Sequence, residues 1–208
     1  MIIAIDGPAA AGKGTLAKRL ADHFDLAFLD TGRLYRAIGY AVLQAGGDPN
    51  DQKAAVSAVR VLDPANVDTG ELYTERVAEA ASVVAAMPDV RKELLTFQRN
   101  FANDPPRDKS GAVLDGRDIG SVVCPDATFK FFVFASPEVR AERRFKELQE
   151  NGVESTYAAV LADIEQRDQR DYRRKVSPLR SVNAREIDTS GKTPDAVFEE
   201  ALAHIEGE

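Results

Sequence analysis

Gly7-Pro8-Ala9-Ala10-Ala11-Gly12-Lys13-Gly14-Thr15 lies between the apolar run Ile2-Ile3-Ala4-Ile5 and a segment in which Leu16, Leu20 and Phe24 recur every four residues. The run reads as a buried strand and the segment as a helix with one apolar stripe. A Gly-x4-Gly-Lys loop between strand and helix is the setting in which backbone binds phosphate. Small residues let the chain curl so that successive N–H groups point at phosphate oxygens, and the helix N-terminus adds its positive dipole. Lys13 would bring a mobile charge to the bridging and terminal phosphates. The bland alternative is a plain Gly/Ala turn carrying a solvent-exposed lysine. One departure matters: Gly14, not Ser or Thr, follows Lys13, and Thr15 comes one residue later. A metal at this loop is then held mainly by phosphate oxygens and water, as magnesium tolerates. A switch-type GTPase is disfavoured too, because Asn-Lys-x-Asp occurs nowhere.

Outward from the loop, short apolar runs alternate with segments of helical period, the pattern of a parallel sheet wrapped by helices. Strands are expected at 2–5, 26–29, 112–114, 129–134 and 185–188. Asp30 or Thr31 caps a helix with core face Leu34, Ile38, Val42 and Ala45 that stops at Gly46-Gly47. A short helix is expected near 51–60, then turns at Asp63-Pro64, Asp68 and Gly70, then helices over 74–86 and 88–101. Residues 103–108 read as a loop, Ser136-Pro137-Glu138 starts a helix, and others span 154–173 and 194–206. Five strands and their crossovers make a doubly wound α/β fold whose ligands sit at the carboxyl ends of the strands.

The 208 residues suit one domain with insertions. The net charge of −7 disfavours nucleic-acid polymers and acidic membranes, so any bound anion must be caught by local Lys and Arg. No secretory leader or membrane span is visible, and the lone Cys124 allows no internal disulfide. A cytoplasmic setting is expected.

Three further stretches carry charge to the strand ends. In Leu29-Asp30-Thr31-Gly32-Arg33-Leu34-Tyr35-Arg36, Thr31 and Arg36 fall within a turn and a half of helix, and a guanidinium fork suits a monophosphate. Asp115-Gly116-Arg117-Asp118-Ile119-Gly120 puts two carboxylates and an arginine at one strand end, or else forms a polar turn with its own ion pair. Arg167, Arg170, Asp171 and Arg174 share one helix face, although Asp163–Arg167 and Arg167–Asp171 also make good i,i+4 pairs.

The ordered set Gly-Lys-Gly-Thr, Leu-Asp-Thr-Gly-x-x-Tyr-Arg, Asp-Gly-Arg-Asp-Ile-Gly and Arg-Asp-x-Arg-Asp resembles the bacterial cytidylate kinase family, from the first strand to about Asp188. The resemblance implies a parallel core sheet, a monophosphate-binding insert and a mobile lid. On this chain these would be core 1–46, 104–145 and 175–208, insert 47–103 and lid 146–174 with its tip at 147–156. It implies ATP with magnesium as donor and CMP and dCMP as acceptors. By position, Thr31, Arg36, Ser82, Arg91, Asp115, Arg117, Asp118, Arg167, Asp171 and Arg174 match the acceptor side. The family insert usually holds a small antiparallel sheet, for which only residues 61–73 are available here.

The expected mechanism has residues 7–15 and Lys13 on the donor, and Arg36 and Arg117 on the acceptor phosphate. Lid arginines drawn from Arg140, Arg143, Arg144, Arg167, Arg170 and Arg174 close over the moving group. Arg91 and Ser82 would donate to cytosine and Asp118 accept from its amino group, unless Asp118 only orients Arg117. Rival readings are another acceptor (UMP, AMP or a hydroxyl served by Asp30 or Asp115) and a nucleotide-binding regulatory protein. The expected partners are small nucleotides, with no polymer and no membrane, and a monomer.

Overall fold

The computed structural model describes residues 1–62, 70–106, 108–150 and 152–207. Five parallel strands, β1 (Ile2–Asp6), β2 (Ala27–Asp30), β3 (Ala112–Gly116), β4 (Phe129–Phe134) and β5 (Arg185–Asp188), form one sheet in the order β2-β3-β1-β4-β5. β1 and β3 are buried along nearly their whole length, which is why they read as unbroken apolar runs rather than as alternation. Ile3 and Ile5 face α1 (Lys13–His23) and α8 (Pro194–Glu206) in a core with Leu16, Leu20, Phe131, Val133, Ile187 and Val197. Ala4 belongs to the opposite face, with Ala112, Leu114 and Ala102 of α5 (Pro88–Asn103).

Register decides where the chemistry gathers. Asp6 lies opposite Gly116, and Asp30 opposite Asp115, so three carboxylates stand within one residue of the same level at the ends of neighbouring strands. The central strand β1 has its partners β3 and β4 on either side, and the loop leaving it opens into the crevice between them.

Residues 47–103, expected as the insert, are helical where described, with α3 (Gln52–Val61), a 3₁₀ turn at Gly70–Tyr73, α4 (Glu75–Val84) and α5. α2 (Thr31–Gln44), α3, α4 and α5 build a second core around Leu34, Tyr35, Ile38, Val42, Val84, Val90 and Leu94, and Leu72 of the turn joins Ala37 and Val77 beside it. No antiparallel sheet forms among the described residues of 47–103. Ala45 caps α2 and is exposed, so the predicted stripe ends at Val42. Gly39 lets α4 come close: a Cβ there would stand 2.9 Å from the Ala81 nitrogen. The small run Ala80-Ala81-Ser82 therefore packs against α2 with Ser82 near Arg36.

α6 (Pro137–Glu150) and α7 (Tyr157–Arg173) pack through Ala141, Leu148, Val160 and Ile164. Residues 147–150, expected in the lid tip, form the last turn of α6, and α7 starts three residues later than expected because Thr156 caps it. The turn signals at Asp63-Pro64 and Asp68, Arg107 of the 103–108 loop and Asn151 of the lid tip lie outside the described residues. Among the described residues no helix is long and apolar enough to cross a membrane.

Candidate active site

The loop between β1 and α1 starts at Gly7, where φ is +150° and an added Cβ would stand 1.9 Å from the Val133 carbonyl oxygen. No side chain fits there. Three loop carbonyls are engaged by donors: Pro8 O by Lys13 Nζ at 2.7 Å, Ala9 O by Arg140 Nη1 at 3.3 Å, and Ala11 O by the Thr189 hydroxyl at 3.0 Å. Gly12 enters α1 in a left-handed conformation with no side-chain cap, so no side chain claims the helix's first amides. Such a terminus is an anion site.

Lys13 is buried at 7% exposure rather than solvated. Burial, then the neighbouring Arg117, lower its pKa to about 7, although Asp115 opposes this. Arg167 is lowered to about 10 by burial and again by Arg117. Asp115 is pushed up to about 7 by burial and by Asp30. Cations that depress one another mark a place where an added anion is favoured. Gly14 has Asp115 as its neighbour, with Oδ2 3.5 Å from where a Cβ would be. The other oxygen of that carboxylate, Asp115 Oδ1, is buried without a hydrogen-bond partner.

A cleft of about 320 Å³ runs from Ala9 and Ala10 past Arg36, Arg167 and Arg170 to Ser82. Arg36 donates to Leu72 O at 3.2 Å and stacks 5.2 Å from the Tyr73 ring. Ser82 Oγ, Arg167 Nε and Arg170 Nε are buried without partners. Arg91 and Asp118 do not line this cleft; they form an ion pair with side-chain exposures of 8% and 6%. Arg91 also donates to Ala85 O at 3.0 Å, at the α4–α5 junction, and lies 5.4 Å from the Tyr35 ring.

The carboxylate partners differ from two sequence expectations. Asp118 pairs with Arg91 and not with its neighbour Arg117. Arg117 instead donates to Asp171 at 2.7 Å, and Arg174 approaches the same carboxylate at 3.7 Å. Burial would raise the Asp171 pKa, but Arg117 and Arg167 outweigh it and hold it low. Asp171 is thus the anchor of Arg117 across the site, and no Arg167–Asp171 ion pair forms among the described residues. Thr31 donates its hydroxyl proton to Asp115 O at 2.7 Å.

Among the arginines before the lid, Arg140 is 2% exposed and holds Asp168 at 3.0 and 2.5 Å and Ala135 O at 2.9 Å. It ties α6 to α7 and to the loop, and it does not face the cleft. Arg143 holds Thr189 through both its hydroxyl and its carbonyl. Arg144 reaches Glu75 of α4 and Glu147. A second cleft of about 330 Å³ lies beyond the loop, between Gly12, Thr15, Leu16, Arg143, Thr189, Lys192, Pro194 and Val197. Sequence reasoning missed Asp6, which accepts from the backbone of Ile119 and Gly120, and Thr189, which holds the loop. The signal for Asp6 was present: a lone acid closing an apolar strand directly before Gly7.

A family model described as cytidylate kinase matches residues 3–207. The cytidylate kinase of Azorhizobium caulinodans is 57% identical over 99% of this chain and 98% of its own length. That of Rhodospirillum rubrum is 54% identical over 97% and 95%. Among solved structures, an uncharacterised protein from Eubacterium ventriosum superposes with a TM-score of 0.58 at 15% identity, covering 100% of this chain and 99% of its own. A sugar kinase from Janibacter sp. gives 0.52 at 15% identity over 99% and 94%. These two likenesses speak to the fold alone.

Proposed function

The chain belongs to the cytidylate kinase family, and from that premise we propose that it transfers the terminal phosphoryl group of ATP to CMP and dCMP. The observation that carries the reading is the cleft from the phosphate loop to Ser82, walled by Arg36, Arg167 and Arg170.

The acceptor phosphate is already an anion at neutral pH, so no residue need remove a proton. Its oxygen forms a bond to the terminal phosphorus while the bond to the bridging oxygen of ATP breaks. Lys13 and the amides of residues 7–15 hold the donor, and Arg36 and Arg117 the acceptor phosphate. Arg167, Arg170 and Arg174 neutralise charge spreading over the moving group. Ser82 and Arg91 donate to O2 and N3 of cytosine, and Asp118 accepts from its amino group. The remaining acceptor contacts are assigned to Thr31, Asp115 and Asp171, with Asp171 also fixing Arg117. The second cleft, next to Thr15, suits the donor's base and sugar.

Magnesium entering with ATP would supply charge neutralisation on the phosphates. Asp115, whose Oδ1 is buried without a partner, is the residue that would hold such a hard cation or its water. We assign core, insert and lid to 1–46 with 104–145 and 175–208, 47–103, and 146–174. We read the protein as a monomer, since every side chain that this mechanism uses lies on one chain.

An acceptor panel of CMP, dCMP, UMP and AMP in a coupled ADP-release assay tests the reading. The expected order puts CMP and dCMP at least tenfold above UMP in kcat/KM. AMP or UMP as the best acceptor would overturn it.

A further inference from the structure

We propose that Asp6 is a positioning residue that sets the base-reading carboxylate Asp118 and locks it to the phosphate loop. Its carboxylate accepts from Ile119 N at 2.7 Å through one oxygen and from Gly120 N at 2.8 Å through the other. Those two amides open a π-helical turn, Ile119–Val123, whose preceding residue is Asp118. The Asp118 carbonyl in turn accepts from Val122 at 2.9 Å and Val123 at 3.1 Å. The backbone around Asp118 is therefore gripped from both sides, by its own turn and by Asp6.

The grip comes from the donor half of the site. Asp6 is the last residue of β1 and adjoins Gly7, whose position is set by the Val133 carbonyl. One side chain thus joins the loop that holds ATP to the turn that carries Arg117 and Asp118. Fixing two amides at once leaves the turn little freedom to pivot.

The residue type also argues for a role beyond packing. Asp6 is 5% exposed and has no ion-pair partner among the described residues. Burying a carboxylate on amides alone is expensive, and an apolar residue at the end of an otherwise apolar strand would be cheaper. Burial lifts its pKa to about 6 even though both amides pull it down.

This inference rests on the reading of Asp118 as a cytosine contact, and the test separates the two. Asp6→Asn keeps the shape but can accept only one amide and turns its NH₂ toward the other. Wild type and variant are compared for kcat/KM on CMP and on UMP and for KM on ATP. The expected result is a CMP/UMP ratio reduced at least fivefold, through KM for CMP, with KM for ATP changed less than twofold. A folded variant with an unchanged ratio, or a loss confined to ATP, overturns the positioning role. A wild type that does not prefer CMP overturns the underlying reading instead. Should Asp6→Asn fail to fold, Asp6→Glu keeps the charge while moving both acceptor oxygens by one methylene, and it must lower the ratio in the same sense or the inference fails.

Discussion

Replacing Asp118 by Asn probes base recognition at its most exposed point of logic. Cytosine offers acceptors at O2 and N3 and a donor at N4; uracil offers a donor at N3 and an acceptor at O4. Asp118 and Arg91 are 4% and 8% exposed, and against groups so buried a polar atom set against a like one costs about 1–3 kcal/mol. The wild type should therefore favour CMP at least tenfold, since about 1.4 kcal/mol is one decade. Asn can turn its NH₂ toward O4 of uracil, which should bring the two substrates within about threefold by removing most of that penalty. The same change takes the counter-ion from a buried arginine. Breaking one side of a buried pair costs up to about 3–5 kcal/mol, so the melting temperature should fall as well. The assay is ADP release at saturating ATP with CMP and UMP titrated in turn, on protein shown by circular dichroism to be folded. An equal loss on both substrates, leaving the ratio unchanged, would remove Asp118 from base recognition and leave it as the holder of Arg91.

Lys13→Met should lower turnover by two or more orders of magnitude, about 3 kcal/mol of transition-state stabilisation. Because the Lys13 pKa is depressed to about 7, its cost to the fold is absent above the ordinary lysine pKa and grows as pH falls from about 10.5 toward 7. The variant should accordingly melt no lower than wild type at pH 7; near-normal turnover in it would refute the donor assignment. Arg167→Ala should cut turnover about a hundredfold with the melting temperature kept, since this arginine is buried among other cations; the reverse pattern would make it a structural residue. Arg140→Lys loses the two-pronged hold on Asp168 and should cost about 3 kcal/mol, or about 6–12 °C in Tm, an effect that differential scanning calorimetry would resolve. An unshifted Tm would show that the pair does not fasten α7.

Much of the fold is legible because its signals are local. The four-residue recurrence of Leu16, Leu20 and Phe24 and the apolar runs at β1, β3 and β4 each report their own element, and the phosphate loop declares its context within fifteen residues. Partner choice is not local. Arg117 looks paired with Asp118 in sequence, yet past the end of β3 Arg117 meets Asp171 on α7 and Asp118 meets Arg91 on α5. Arg140 reads like Arg143 and Arg144 and shares their helix face, but it lies in the first turn of α6, where it meets Asp168 and the phosphate loop, while they reach Thr189 and Glu75. The importance of Asp6 depends on the register that sets β1 beside β3, which no single stretch encodes. Ser82 and Arg91 were found only through the family resemblance, because a small residue in an alanine run and a charge on a helix carry no signal alone.

The most direct measurement follows the label from ATP carrying a radioactive terminal phosphate, with CMP present and products separated by chromatography. Phosphoryl transfer to CMP predicts label in the outer phosphate of CDP, lost in Lys13→Met and far weaker when UMP replaces CMP. Label appearing only as inorganic phosphate, or entering UDP as readily as CDP, would contradict the account.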